Sequence, residues 1–312
     1  MISYFAGMKS IDVTILTDDR YVKPTGLTPY IENILLEDSL IQKALEKKGF
    51  NVARKSWSDP GFDWSDTRYA LFRTTWDYFE RFDEFIRWMG RTSRILDFIN
   101  PFKLAQWNLD KHYLLDLQKK GIPIVKTKFI KPLTRTTLLE EVEKMDTIEA
   151  VLKPAISGAA RHTYRLKPHN IANHEKVFQR LIKSESMMIQ PFIKSILEKG
   201  EISLMVIHGK YTHAVLKKAR PGDFRVQDDF GGTVHDYHPT DRIIELAEKT
   251  VEACPYHPLY ARVDIVWDDT NTPVVSELEL IEPELFFRKN ERSADMLATA
   301  IVEFDSEKSS VS

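Results

Sequence analysis

The first hundred residues alternate between two hydrophobic periods, and that alternation narrows the possible folds more than any other feature. "IDVTILT" (residues 11–17) is a short β-rich apolar run. "PYIENILLEDSLIQKALEKKG" follows with helical spacing, Pro29 in its first turn and Gly49 as its stop. "RYALFR" is a second strand, and "YFERFDEFIRWM" places Phe79, Phe82, Phe85, Ile86 and Met89 on one helical stripe expected to pack in a core. Strands joined through helices pair in parallel, so an α/β unit with a mostly parallel sheet is predicted. In such sheets ligands sit beyond the carboxyl ends of the strands. Two loops fall there: "TDDRY", with Asp18 and Asp19, and "RTTWDY", with Arg73, Trp76 and Asp77. The second loop equally reads as an ordinary turn with Asp77 near a helix N-terminus.

Farther along, Asn108 is expected to cap a helix that ends before Gly121, and residues 122–183 look like a small α/β unit. From "MMIQPF" onward strands dominate. "EISLMVI" and "YTHAVLKK" flank a hairpin turn at His208-Gly209, and "ARPGDFRVQDDFGGTVH" reads as a long loop. A helix is predicted from Thr240 to Ala253, and two strands, "YARVDIVW" and "VVSELEL", are joined by the turn-rich "DDTNTP". The polar tail "SEKSSVS" is expected to fray.

Composition then excludes whole classes of function. A chain of 312 residues with 43% hydrophobic and 29% charged residues has room for two or three packed units. A net charge of -2 argues against a general nucleic-acid or membrane-surface binder. The local cluster Lys126, Lys128 and Lys131 reads as a solvated face. A single cysteine, Cys254, rules out an internal disulfide framework and favours a reducing compartment. No apolar run approaches the ~20 residues of a membrane span. The start, with Met1 or Met8 as initiator, lacks the pattern of a signal peptide. A cytoplasmic protein is expected.

Chemistry enters with the last two strands. Alternation puts Arg262 and Asp264 on one face of the first, and Glu277 and Glu279 on one face of the second. Paired around their turn, the strands would set Asp264 opposite Glu277 and Arg262 opposite Glu279. Like charges across a ladder destabilise it, so the three carboxylates ask for a cation. Oxygen-only donors suit Mg²⁺ or Mn²⁺. Read alone, the same residues are also a solvated acidic face with Arg262 as partner. The histidines offer no rival: His235 and His238 lie close, without a second ligand pair at zinc spacing. "VLKPAISGAA" poses the complementary question, because Lys153 ends an apolar run and small residues follow. A buried lysine needs a partner. A loop of Ser157, Gly158, Ala159 and Ala160 lets backbone N–H groups approach phosphate oxygens. No GxxxxGK[ST] is present, and in isolation the stretch is also a plain surface turn.

Lys111, "VLKPAISGAA", "MMIQPFI", "GDFRVQDDFGG", "RVDIV" and "SELELIEPELFF", in that order, resemble the ATP-grasp superfamily. The likeness runs from about Lys111 to Phe287. It is nearest to the branch of prokaryotic glutathione synthetase, the ribosomal-protein glutamate ligase and the D-cycloserine-forming cyclo-ligase. The resemblance implies an α/β and α+β architecture, an ATP-grasp fold behind an N-terminal α/β pre-grasp domain. Its units would be 1–108, a lid subdomain 109–188, and a C-terminal subdomain 189–312 with the metal site. By matching position it implies that Lys111, Lys153 and Ser157 to Ala160 meet ATP phosphates. Gln190, Pro191, Phe192 and Ile193 would form the hinge along the adenine edge. Lys217, Arg225 and Gln227 would surround the γ-phosphate and the carboxylate that attacks it. Asp264, Glu277 and Glu279 would hold Mg²⁺. Many relatives carry Asn where this chain has Glu279, and several have a ribose-contacting Glu where Ser195 stands; Glu198 or Glu201 would replace it. The implied activity is an ADP-forming carboxylate–amine ligase working through an acyl phosphate on small-molecule substrates, with no nucleic acid and no membrane. An intramolecular cyclase, a peptide- or protein-modifying ligase and a non-catalytic ATP-binding module are the alternatives. Arg73, Trp76, Asp77, Arg262 and Arg288 would hold the substrate, and a homo-oligomer is compatible. No general base is legible.

Overall fold

The computed structural model describes residues 9–158, 160–226 and 231–311. Its first unit runs β1 (Ile11–Thr17), α1 (Asp19–Val22), α2 (Pro29–Lys47), β2 (Val52–Ser56), β3 (Thr67–Thr74), α3 (Phe82–Thr92) and β4 (Asp97–Ile99). The four strands form a sheet in the order β2-β1-β3-β4, all parallel. Thr28 caps α2, its hydroxyl accepting from the Ile31 N–H at 3.3 Å, and Pro29 pre-sets the first turn. Gly49, at φ +89°, reverses the chain into β2. β2 and β4 are short and fall outside the strands expected from pattern alone.

Two local expectations change here. α3 begins at Phe82, because Asp77 first organises a turn: its carbonyl accepts from the Glu80 and Arg81 N–H groups. Phe79 therefore lies before the helix, yet it packs with Phe82 and Ile86 against the aromatic core that holds Phe85 and Met89 with Trp57, Phe72, Trp88 and Phe98. Next come α4 (Phe102–Asn108) and α5 (Tyr113–Lys119), two helices where one was expected. Asn108 ends the first instead of capping a new one. Its buried amide is spent on the strand opposite, donating to the Leu278 carbonyl and accepting from the Leu280 N–H, both at 2.9 Å.

The second unit comprises β5 (Lys128–Ile130), α6 (Leu138–Glu143), β6 (Ala150–Pro154), β7 (Tyr164–Leu166), α7 (Ile171–Leu181) and β8 (Met187–Pro191). Its antiparallel sheet has the order β5-β8-β6-β7. It carries its own core, with Leu138, Leu152, Phe178, Met187 and Ile189 at the centre. Lys128 departs from the expected solvated cluster, pairing at 2.6 Å with Glu141, whose side chain is 4% exposed.

The third unit holds α8 (Ser195–Glu198), β9 (Glu201–Ile207), β10 (Lys210–Lys218), β11 (Thr233–Tyr237), α9 (Asp241–Glu252), β12 (Tyr260–Trp267), β13 (Pro273–Glu279) and α10 (Arg292–Val311). The sheet order is β11-β10-β9-β12-β13, antiparallel throughout. His208 and Gly209 both have positive φ, 49° and 74°, and make a two-residue turn whose twist matches the flanking strands. β11 occupies the end of the stretch expected to be one long loop. The residues expected to fray as a tail continue α10 through Val311, and Leu297, Ala298 and Ile301 of that helix are buried. They join a core with Val13 and Leu45 of the first unit and Met205 and Tyr260 of the third. The first and third units thus share an interior. The chain passes to and from the middle sheet near Val125 and Ile193, which pack together with Val266 and Val274. Among the described residues no helix is long and apolar enough to cross a membrane.

Candidate active site

β13 is an edge strand, and an open edge needs partners for its backbone groups. Asn108 supplies two of them, and the Tyr113 hydroxyl accepts from the Leu278 N–H at 2.9 Å. Farther back, the Val125 N–H donates to the Val275 carbonyl at 3.0 Å and the Val275 N–H to the Pro123 carbonyl at 2.9 Å. Held on that side, β13 pairs with β12 on the other, with Asp264 opposite Glu277 and Arg262 opposite Glu279, the register expected from alternation. Between Asp264 and Ile265 the register steps, leaving Ser276 as a bulged residue. Its hydroxyl donates to Glu201 at 3.1 Å. The outcome is a wall of carboxylates on one face of the sheet.

Cations lace that wall. Arg262 lies 2.9 Å from Asp264 and also bonds Glu279. Lys217 is 2.7 Å from Glu201 and 3.4 Å from Asp264. Burial alone would raise Asp264, but Arg262, Lys217 and the Ser203 hydroxyl outweigh it and hold the acid at about 2. Glu279 goes the other way. Burial, helped by the charges of Asp264, Glu277 and Glu282, overcomes Arg262 and lifts it to about 8.

Lys153 faces this wall from the end of β6, half-buried. Desolvation lowers its pKa; Glu277 opposes that shift and neighbouring Lys111 adds to it. Among the described residues no carboxylate lies within ion-pair distance of its ammonium. Lys111 is better served, donating to the Ser157 carbonyl at 2.6 Å and pairing with Glu277 at 3.1 Å. The loop after β6 is closed by the Ser157 hydroxyl on the Pro154 carbonyl at 3.2 Å. Gly158 has no room for a side chain, since a Cβ there would sit 2.7 Å from the Phe79 ring.

These elements enclose one cavity of about 720 Å³, within the range of small-molecule sites. Lys111, Lys153, Ser157, Gly158 and Ala160 line one end of it. Gln190, Pro191, Phe192 and Ile193 line the side toward the hinge. Glu201, Lys217, Arg225, Asp264, Glu277 and Glu279 line it from the third unit, joined by Trp76 and Arg262. Three expected substrate residues turn elsewhere. Arg73 is 2% exposed, donates to the Pro283 carbonyl at 3.0 Å and lies near Glu37 and Asp38. Asp77 is spent on the Trp57 indole at 2.7 Å and on Arg81 at 2.9 Å. Arg288 binds Glu37 and Glu284. Asp18 caps α1 and pairs with Arg20 at 2.6 Å, and Asp19 is exposed. Ala159 and Gln227 lie outside the described residues.

Other lining residues went unread in the sequence: Arg20, Tyr21, Tyr30, Phe79 and Glu282. Tyr30 stacks on Trp76 with centroids 6.1 Å apart, and Tyr21 meets it edge-on at 5.9 Å. Arg20 and Tyr21 stand directly after the "TDD" already marked as a ligand-side loop, so a wider window on that loop would have caught them.

The donors facing the cavity are hard oxygens, which suit magnesium or manganese. Among the described residues no three Asp, Glu, His or Cys side chains converge on one point. Magnesium at a phosphate site takes one or two carboxylates and completes its shell with phosphate oxygens and water. Glu277 and Glu279, in a cluster acidic enough to raise one of them to about 8, fit that demand. Asp264 already has its oxygens bound by Ser203, Arg262 and Lys217.

Comparison with known proteins gives two family matches. Residues 13–100 match the N-terminal domain of D-cycloserine synthetase DcsG, and residues 124–268 match the ATP-grasp domain of prokaryotic glutathione synthetase. The cycloserine biosynthesis protein DcsG of Streptomyces lavendulae is 29% identical over 281 residues, covering 84% of this chain and 91% of the relative. The crystal structure of D-cycloserine synthetase DcsG superposes with a TM-score of 0.82 at 26% identity, covering 93% of this chain and 98% of that one. D-alanine–D-alanine ligase from Bacillus anthracis shares the fold, with a TM-score of 0.65 at 15% identity over 94% of this chain and 97% of that one. Two domain matches in sequence order, together with a relative alike over nearly its whole length, show that this chain carries an ATP-grasp domain behind an N-terminal domain like that of DcsG.

Proposed function

We propose that the chain activates the carboxylate of a small molecule with ATP and joins it to an amine-type nitrogen within the single cavity described above. The observation that carries this reading is the Lys153 ammonium, which faces a wall of carboxylates across that cavity with none of the described residues' carboxylates in ion-pair reach. Lys111, Lys153 and the backbone of residues 157–160 hold the phosphates, and Gln190 to Ile193 border the base. Glu201 lies where the ribose is expected. Lys217 and Arg225 offset charge on the transferred phosphoryl group. Glu277 and Glu279, with Asp264 behind them, hold magnesium, which when bound neutralises phosphate oxygens. Trp76, Tyr21, Tyr30 and Arg262 surround the acid. Its carboxylate oxygen attacks the γ-phosphorus, the bond to the βγ-bridging oxygen breaks, and ADP leaves. Nitrogen then attacks the acyl carbon and phosphate departs. Holding the three groups in line within a closed site supplies most of the acceleration.

A finer reading is intramolecular. The likeness to D-cycloserine synthetase continues through residues 13–100, the part that contributes Tyr21, Tyr30 and Trp76. Hydrolysing the one ring C–N bond of D-cycloserine gives O-amino-D-serine, which carries acid and nucleophile in a single molecule. With Mg·ATP and O-amino-D-serine, the purified chain should release ADP and cycloserine in equal amounts. ADP release that requires an added amine, with no cyclic product, would favour the intermolecular ligase. No ADP release with this compound or with a panel of amino acids and hydroxylamine would remove both.

A further inference from the structure

We propose that Glu282 is the catalytic base, the group that accepts the proton shed by the attacking nitrogen. This rests on the ligase reading above and supplies what the sequence left unnamed. Glu282 lies three residues beyond Glu279 and lines the same cavity as Trp76, Glu277 and Glu279. The segment is pinned by the Trp76 indole, which donates to the Glu282 carbonyl at 3.0 Å. The buried Tyr78 phenol lies beside its carboxylate.

Its surroundings set it apart from its neighbours. Glu277 is tied to Lys111, Asp264 and Glu279 to Arg262, Glu201 to Lys217 and Glu284 to Arg288. A carboxylate whose oxygens already accept from a lysine or arginine has them occupied and is poorly placed to take a further proton. Among the described residues, no lysine or arginine nitrogen lies within ion-pair distance of Glu282. No histidine lines the cavity among the described residues. The Tyr78 and Tyr113 phenols are driven up by burial and stay protonated. The groups that face Glu282 are Tyr78, Lys111, Glu277, Glu279 and Tyr260. Burial raises it; the hydrogen bond from Tyr78 and the charge of Lys111 draw it partly back, leaving it at about 7. A base with its pKa near the working pH combines availability with proton affinity.

The step balances without a further reactant. The neutral nitrogen uses its lone pair to form the C–N bond. The acyl C–O bond breaks and its electron pair leaves with phosphate. The N–H proton moves to the Glu282 carboxylate and from there to solvent.

Two readouts on the full chain with O-amino-D-serine separate the half-reactions. Oxygen-18 placed in the βγ-bridge of ATP scrambles only if the acid is phosphorylated reversibly; cycloserine release reports the completed reaction. Glu282→Gln, checked for an unchanged melting curve, should keep scrambling within about threefold of wild type while cycloserine formation falls about 10²–10⁴-fold. Equal loss of both readouts in Glu282→Gln, or no loss in either, overturns Glu282 as the base while leaving the ligase reading in place. A wild-type chain that neither scrambles nor cyclises overturns the reading it rests on, and the base falls with it.

Discussion

Replacing Lys153 by alanine removes an ammonium whose burial lowers its pKa and whose neighbour Lys111 repels it. Its removal should therefore leave stability unchanged or slightly raised, while turnover falls about 10²–10³-fold through lost phosphate contact. A melting curve beside a steady-state assay tests the split. Asp264→Ala should behave in the opposite way. It takes one of two carboxylate partners from both Arg262 and Lys217, which keep Glu279 and Glu201, and should cost about 1.5–3 kcal/mol of stability, readable by urea denaturation. Glu141 offers a pH test. Burial would raise it, but hydrogen bonds from Lys128, Lys144 and Thr136 prevail and hold it at about 2. With the folded value below the unfolded one, its stabilisation is full above its ordinary value of 4.5 and is lost as pH falls toward 2. Glu141→Gln should therefore cost about 1–2 kcal/mol at pH 7 after solvent screening of the lysines, with the gap narrowing below pH 4.5 in denaturant titrations. At this scale the sequence was legible wherever a charge sat in an apolar run, as Lys153 does. It was opaque for Arg73, because the acids that draw an arginine into the interior, Glu37 and Asp38, lie on a helix far away in the chain.

Elements meet at the Phe79–Gly158 contact, where the turn before α3 touches the loop after β6. Because a Cβ at residue 158 would lie 2.7 Å from the ring, Gly158→Ala must displace either ring or loop. It should slow turnover by about tenfold or more through misplaced loop groups. Phe79→Ala in the same chain should recover most of the loss, so a double-mutant cycle on kcat checks the contact. The acid wall was readable at this scale because strand alternation fixes which residues share a face. The Ser276 bulge was not, since a single slipped residue leaves the hydrophobic pattern nearly intact. β2, β4 and β11 escaped for a related reason: three to five residues, mostly half-buried or exposed in β2 and β11, carry too little periodicity to separate a strand from a loop.

Across the whole molecule, the first and third units share an interior closed by α10. Deleting residues 292–312 would remove Leu297, Ala298 and Ile301 and uncover the α2 face they cover, and the truncated chain should lose cooperative unfolding in circular dichroism. The polar end of α10 hid this from the sequence. Its buried residues come early, while the last turns are exposed and anchored by Asp305 on Tyr69 at 2.7 Å and Lys308 on Asp97 at 2.5 Å. The middle sheet has a core of its own, but Met188 of β8 and Phe129 of β5 also pack into the interior of the third unit, and both chain crossings rest on the small valine pad beside Ile193. A swing of that body has to slide those two side chains along with the pad. Enlarging one of the pad's four aliphatic side chains then becomes a means of retiming the cycle without touching a reacting group.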